Sequence, residues 1–553
     1  DILTSLVEKS LITVRPDPLG RRYRLLETIR QYALERLGER GEAQAARDAH
    51  LAHVIERMQI LERHAVEPSS QAASALRQLK AWTYDIRAAQ AWAVLRDRPQ
   101  DIIELHFPNY YTASLLTTHP ETLAALVPLL DDARLDDLAR ARVTAMVVPF
   151  RHSMNDFAGA ASLARDGIAL AREQGDVKSL LGLLIAGAAS LGMDRGEGVE
   201  LGLEAMDLAR PLGPTLLATA GYSLGVALCF AQEPVDDHFH LLEEALHAAR
   251  ESGVHQLVVG TDGVISGHLT LKGDVAQGLE RSRAGRAYAL EHDPRSLSRW
   301  AILPGIWAGH WGGDTDFAPS LVQDSLRTAG PPGSMSHTFA LLVRATENVL
   351  SGAPPADVLA DTHVLIDRLR GSGAAHWLVC SFNLHAYALT HSGEHAAARA
   401  TVDEARTLTP ATGWWYARGG LCSAAAELID ADPVDTLAEI GDVLEMGLGM
   451  GWIVGWTPHL IAVAARSLHA IDRTEDAARI LSLSDRAVDD AGVVNGNYTP
   501  GFHDQVRDAI RSSMTEPEFE AVTAAAQALS LVDALAIIRS HASPGADERP
   551  AAR

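Results

Sequence analysis

Cysteine is nearly absent: Cys229, Cys380 and Cys422 are the only three in 553 residues, and they stand far apart. Neither a disulfide framework nor a C-x-x-C metal clip can be assembled from them, and buried, reduced thiols are expected. Aromatic residues make up 5% of the chain, too few for a fold built of strands, which draw on aromatic and β-branched side chains. Basic residues fall short of acidic ones, 48 against 71, for a formal charge of −23. Duplex DNA is therefore not expected as a direct partner, because phosphate contacts need clustered cations and the bulk field here opposes them. There is no apolar run long enough to span a bilayer and no signal-peptide pattern, so a cytoplasmic chain without a membrane partner is expected.

Catalytic signatures are missing as well. The sequence contains no G-x-x-x-x-G-K-[ST] loop, no G-x-S-x-G elbow and no H-E-x-x-H pair, so no enzyme activity, cofactor or metal is expected in this chain itself. The Gly447-Leu448-Gly449-Met450-Gly451 run follows no strand pattern and falls where one helical unit hands over to the next. Asp236, Asp237, His238 and His240 form an acidic-histidine cluster. On a helix, positions 238 and 240 point about 200° apart and cannot converge on one metal, so exposed first-turn charges are the better reading. His391 and His395 are split by Gly393 and read the same way.

What the sequence does have is alanine and leucine in quantity, the composition of helices. With 47% hydrophobic and 22% charged residues it is a globular chain. Its length exceeds a single core, which calls for several domains or a repeat array. At the start, Ile2, Leu3, Leu6 and Val7 have helical spacing, and Leu11 to Val14 form an extended apolar run. Pro16, Pro18 and Gly20 mark a turn, after which Tyr23, Arg24 and Leu25 return as the second strand of a hairpin. Leu26, Ile29, Tyr32, Ala33 and Leu37 then share one helix face, closed by Gly38 and Gly41. Helix, strand, wing, strand, helix is the back half of a winged helix. It opens at Asp1 inside a helical pattern, as a severed N-terminus would.

The strings LVEKSLITV and RYRLLETIRQYALERL closely resemble the winged-helix segment that follows the nucleotide-binding domain in bacterial STAND-class, NB-ARC-like ATPases. These occur in actinobacterial transcription regulators of LuxR-like or BTAD-containing architecture. The resemblance covers roughly the first sixty residues. The family's dNLRaAl helix is matched by Asp85-Ile86-Arg87-Ala88-Ala89, but Thr83-Tyr84 replaces the usual Glu-His before it. The resemblance implies an ATPase core upstream, where ATP and Mg²⁺ would bind. Arg21, Arg22 and Arg24 would then face that core; alternatively they are solvated residues of a wing tip. DNA would be contacted only through an output domain. The helix-turn-helix that closes LuxR-type members is not found at this C-terminus, so an output domain is expected on the N-terminal side, unless the parent lacks one.

Beyond that segment, internal repetition dominates. Turn signals recur at Asn155, Gly196, Pro234, Gly273, Gly313, Gly352, Gly393, Asp432 and Asp472, at intervals of roughly forty residues. In the last three units Ala386, Ala425 and Ala465 precede the turn, then Leu389, Leu428 and Leu468, and Ala398, Leu437 and Ala477 follow it. Small residues let paired helices approach, and leucines fill the space between pairs. Ser266, Leu269 and Gly278 repeat the pattern around Gly273, and His119-Pro120-Glu121 marks an earlier unit. The pattern resembles a long form of the tetratricopeptide repeat. The expected fold is all-α, a tetratricopeptide-like α-solenoid behind a truncated winged helix. Its expected parts are a partial winged helix at 1–40, a helical linker at 41–96, repeats over 97–513, capping helices at 514–539 and a disordered tail at 540–553.

Trp300, Trp377, Trp414, Trp415 and Trp452 fall near the start of the first helix of a unit, with Trp307, Trp311, Tyr416 and Trp456 nearby. First helices line the concave face of such superhelices, so an aromatic stripe there forms a candidate groove for a small-molecule or protein effector. The competing reading makes these tryptophans filler between stacked repeats. The resemblance implies a sensor or autoinhibitory arm coupled to an ATPase core. A free-standing repeat scaffold that binds protein segments, or the regulatory arm of a cyclase, are the alternatives.

Overall fold

The computed structural model describes residues 2–17, 20–66, 71–109, 120–153, 156–195, 197–229, 235–297, 299–314, 316–330, 332, 335–370, 374–409, 414–428, 431–452, 456–490, 493 and 501–542. Helix α1 (Ile2–Glu8) leads into an antiparallel hairpin of β1 (Ile12–Asp17) and β2 (Gly20–Leu25), with Ile12 opposite Leu25 and Thr13 opposite Arg24, and then into α2 (Glu27–Glu39). This is the helix, hairpin, helix order read from the first forty residues. Next come α3 (Ala43–Val66), α4 (Gln71–Ala81), α5 (Thr83–Leu95), α6 (Pro99–His106) and α7 (Pro120–Leu126). The segment expected as a helical linker is indeed helical, but it does more than connect. Leu51, Val54, Met58, Leu61, Ala89 and Ala93 are buried in the same core as the first repeats.

Nine antiparallel pairs follow. The first three are α8 (Asp137–Ser153) with α9 (Phe157–Gln174), α10 (Val177–Arg195) with α11 (Glu197–Ala209), and α12 (Pro214–Leu228) with α13 (Phe239–Ser252). The middle three are α14 (His255–Lys272) with α15 (Val275–His292), α16 (Arg299–Trp311) with α17 (Phe317–Thr328), and α18 (Met335–Leu350) with α19 (Pro355–Leu369). The last three are α20 (Ala375–His391) with α21 (His395–Leu408), α22 (Trp415–Ala426) with α23 (Pro433–Gly449), and α24 (Trp456–Ala470) with α25 (Thr474–Asp490). The chain closes with α26 (Phe502–Ser512), α27 (Glu516–Ala525) and α28 (Leu531–His541).

The turns inside these pairs are where the sequence put them. Gly273, Gly313, Gly352, Gly393 and Asp472 all have the left-handed backbone that reverses the chain in few residues. Asp432 acts otherwise, its carboxylate accepting from the backbone N–H groups of Val434 and Asp435 to cap α23. Asn155, Gly196 and Pro234 lie outside the described residues. The nine alanine and leucine positions of the last three units are all buried.

Each first helix packs on its own second helix, on the second helix of the preceding pair and on the neighbouring first helices. The first helices therefore form an inner layer and the second helices an outer one, the arrangement of an α-solenoid. The inner layer is apolar on every side. In α12 every residue but Tyr222 is buried, and in α14 the whole stretch from Leu257 to Leu271 is buried. The outer layer is amphipathic, and arginine–carboxylate pairs bridge one second helix, or its C-terminal end, to the next: Arg165–Glu197 at 3.1 Å, Arg210–Glu244 at 2.9 Å, Arg370–Glu404 at 2.7 Å and Arg406–Glu439 at 2.7 Å. Such exposed pairs contribute about 0–1 kcal/mol each, so they favour one register and leave stability to the apolar layer.

The C-terminal segment covers the open end. Capping boxes at Thr515/Glu518 and Ser530/Asp533 start α27 and α28. Helix α28 folds back onto α23, α24 and α25, and Arg539 pairs with Asp442 at 2.8 Å and Glu445 at 2.6 Å. Because α28 runs to His541, the expected start of a disordered tail at 540 falls inside a helix; the tail from 543 onward lies outside the described residues.

Close approach of the two layers depends on small residues. A Cβ at Gly221 would stand 2.2 Å from the Ala245 Cβ of α13, a group that cannot rotate away. Gly221→Ala should lower stability by about 1–3 kcal/mol. Gly285→Ala, with only an ordinary contact to Asp262 at 3.8 Å, should raise it by roughly 0.5–1 kcal/mol through helix propensity. Thermal unfolding of the two variants, followed by circular dichroism, checks the opposed signs.

Candidate functional site

The inner layer closes on itself. Trp307 of α16 meets Tyr416 of α22, three pairs further along, with ring centroids 4.9 Å apart. His268 of α14 lies 6.2 Å from Trp452, which follows α23. Contacts between residues so distant in sequence mean that the concave side is occupied by the chain's own side chains. A narrow cavity lies within it, walled by five consecutive first helices through Leu303, Leu342, Trp377, Asn383, Tyr416 and Trp456, among others. Among the described residues no charged side chain lines it.

The tryptophans singled out by position divide between this cavity and the packing around it. Trp377 is buried, lines the cavity and stands edge-on to Phe339 at 5.6 Å. Trp415 points the other way: its indole N–H donates to the Val443 carbonyl of α23 at 3.2 Å, and it meets Trp452 edge-on at 5.0 Å. Gly447 is what admits it, since a Cβ there would sit 2.7 Å from Trp415 Nε1. Part of the glycine run is thus a seat for an indole. Trp452 is 2% exposed, and Trp414 is half-buried against His376 at 5.2 Å. The side chain of Trp300 lies outside the described ones. The four that are described do not form one continuous stripe. Asn383, the amide of the cavity wall, was not singled out by sequence reasoning. Its signal was available, as an amide in the middle of the apolar string AHWLVCSFNLHAYALTH.

A second surface lies at the N-terminal module. Ile2, Leu3, Val14, Tyr23, Leu25, Leu26, Tyr32 and Leu34 are exposed, eight of the sixteen large apolar residues left exposed among the described residues. Neither α1 nor α2 has a buried residue. Arg24 is exposed on β2 beside this apolar surface. Arg21 and Arg22 occupy the same strand, and their side chains lie outside the described ones.

The polar groups singled out in the sequence have ordinary partners where they are described. Asp236 pairs with Lys272 of α14, while His391 Nδ1 hydrogen-bonds the Tyr387 carbonyl at 2.9 Å. Among the described residues no three His, Cys, Asp or Glu side chains converge as a metal would require. No single helix among them is long and apolar enough to cross a membrane. All three cysteines are free, and burial pushes the Cys229 thiol up to about 12. Burial also lowers three histidines from the usual 6.5: His268 to about 4, His385 to about 4 and His376 to about 3. His376 is wedged edge-on to both Trp377 and Trp414, and His385 Nδ1 lies 2.8 Å from Thr362 Oγ1.

No protein-family model matches the chain. Over 305 residues it is 29% identical to proteins named "Putative HTH-type transcriptional regulator" from Mycobacterium bovis and from two strains of Mycobacterium tuberculosis. The match takes in 51% of this chain and 33% of theirs, so the chain spans about a third of the length of these curated relatives. Among solved structures, a circular tandem repeat protein with novel repeat topology aligns over 86% of this chain and 98% of its own, at 14% identity and a TM-score of 0.13. The solenoid description rests on the helix contacts above.

The buried histidines set a pH dependence. Above pH 6.5 they are neutral whether the chain is folded or unfolded. Below 6.5 the unfolded chain takes up protons that the folded interior refuses, so stability is lost as pH falls from about 6.5 toward 4. The melting temperature should drop across that window. In His376→Phe the slope should be shallower by one proton, about 1.4 kcal/mol per pH unit. An unchanged slope in that variant would mean that His376 does not fold as a buried neutral imidazole.

Proposed function

We propose that this chain is the sensor or autoinhibitory helical-repeat arm of a STAND-type, ATP-dependent transcriptional regulator. In this reading the solenoid binds an effector, and the N-terminal module docks on an ATPase core that precedes it. The observation that carries the reading is the apolar exposure of that module. Half of the large apolar residues exposed among the described residues fall within 33 consecutive positions, Ile2 to Leu34. A surface of that kind on a small helix, hairpin, helix unit marks a contact with another domain. The likeness to proteins named as HTH-type transcriptional regulators supports a regulatory role. That the chain matches only a third of their length suits a part that works through domains beyond it.

Coupling is then a difference of affinities. An effector that prefers one arrangement of the solenoid shifts the parent toward the state in which the module is docked or released. ATP and Mg²⁺ belong to the core in this reading, DNA to an output domain, and catalysis to neither the repeats nor the hairpin. The alternative of a free-standing scaffold with an open peptide groove is less well supported, because the Trp307–Tyr416 and His268–Trp452 contacts occupy the inner face.

Ile2→Asp and Tyr32→Asp, made in the full-length regulator, test the docking surface. Both side chains are exposed, at 78% and 58%, so helicity and melting temperature of the array should hold. Effector-dependent transcription should change by roughly tenfold or more, as loss of a coupling of 1–3 kcal/mol implies. A regulator that carries both substitutions and still responds as the parent does would remove the basis for the reading.

A further inference from the structure

Helices α2 and α3 are separated by one tight turn. Gly41 takes the left-handed backbone there, with φ +69°. The Glu42 N–H donates to the Leu37 carbonyl at 2.9 Å, and the Gly41 N–H donates to the Gly38 carbonyl at 3.0 Å. This is the usual closure of a helix on a left-handed residue. Space plays no part in the choice of glycine, because a Cβ at position 41 would have no neighbour within 4 Å. Only the sign of φ calls for it.

No residue from Tyr23 to His50 is buried, in a stretch that is described throughout. The stripe that seats α3 begins at Leu51 and continues through Val54, Met58 and Leu61. Its far end is tied down, where the Glu62 carboxylate pairs with Lys178 of α10. The same ammonium donates to the Pro108 carbonyl at 3.1 Å. Turns within the solenoid differ. At Gly273 the flanking Leu271 and Val275 are both buried, so the core clamps that pair of helices in its bend. The bend at Gly41 has no such clamp.

The sequence across the turn is that of an uninterrupted helix. Between Arg30 and His53 there is neither a proline nor a β-branched residue, and alanine, glutamate, arginine, leucine and glutamine make up most of it. Glycine reaches the right-handed region about as readily as the left-handed one. With Gly41 right-handed, the two closing hydrogen bonds give way to the regular i to i−4 series. Helices α2 and α3 then run on as one, from Glu27 to Val66, about 60 Å long.

We propose that the α2–α3 junction is a two-state switch, bent with Gly41 left-handed and straight with Gly41 right-handed. It swings the N-terminal module as a unit while α3 stays seated on the solenoid. A partner that holds the module in one position draws the junction with it. The switch belongs to the chain itself and does not depend on which domain the module meets.

Gln31 and Gln59, exposed on α2 and α3, are the places to measure it. Gln31→Cys and Gln59→Cys are introduced together in the whole chain and spin-labelled, and their separation is read by pulsed electron paramagnetic resonance. Burial raises all three native thiols, which holds them back from a label that reacts with thiolate. In the straight state the two positions are about 42 Å apart along the axis; in the bent state they are closer. The shorter separation should dominate in the parent chain. Gly41→Ala should raise the ratio of long to short component roughly tenfold, because a Cβ disfavours the left-handed backbone. Gly41→Asn, which tolerates that backbone, should stay close to the parent. A Gly41→Ala chain without a component near that length overturns the proposal, as does a Gly41→Asn chain that lengthens to the same degree. The Ile2 and Tyr32 variants report on docking whichever way these distances fall, so either reading can fail alone.

Discussion

A helix enclosed by its own partner, by the preceding partner and by two neighbours of its own kind has no side left for water. This is the situation of the first helices, and α12 and α14 are built accordingly, with glycine, alanine, serine and threonine between branched aliphatics. Some of the polar groups they carry are matched locally: Thr270 Oγ1 donates to the Ser266 carbonyl, and Ser266 Oγ donates to the Gly278 carbonyl of the facing helix. Asp262 is the exception that needs a countercharge, which Arg281 supplies at 2.7 Å. The outer helices carry the charge that the inner ones cannot, and their arginines reach along the solenoid to the next carboxylate.

The same enclosure explains the tryptophans. An indole is too large to fit between two closely packed helices unless the opposite surface is bare backbone. Trp456 lies against Gly419 and Gly420, where a Cβ at Gly419 would stand 2.4 Å from its ring, and Trp415 lies against Gly447. These two indoles are thus seated on glycines of neighbouring helices. Across α16 to α24 a narrow cavity is left among the first helices.

The N-terminal module follows a different logic. It is short, contributes no buried residue from its helices, and displays apolar side chains that a unit of this size cannot bury alone. The solenoid satisfies itself; the module does not. That contrast links the two readings offered above, since an arm that senses in its interior must transmit through a surface that is free to change partners.

Much of the fold was legible in the sequence. The hairpin could be read from Pro16, Pro18 and Gly20, and the pair turns from residues such as Gly273, Gly393 and Asp472. The layer contacts of the last units followed from alanine and leucine at fixed distances from those turns. These are local signals, set by backbone sterics and by helical periodicity, and they need no knowledge of the rest of the chain. The sequence by itself therefore determined the all-helical repeat and its units. It did not determine what the concave side would hold. That Trp415 turns outward to Val443, that Trp307 reaches Tyr416, and that Asn383 is left with an unmatched oxygen all depend on the curvature of the stack. Curvature sums small rotations over many pairs, so the tertiary structure alone brings residues from distant units face to face.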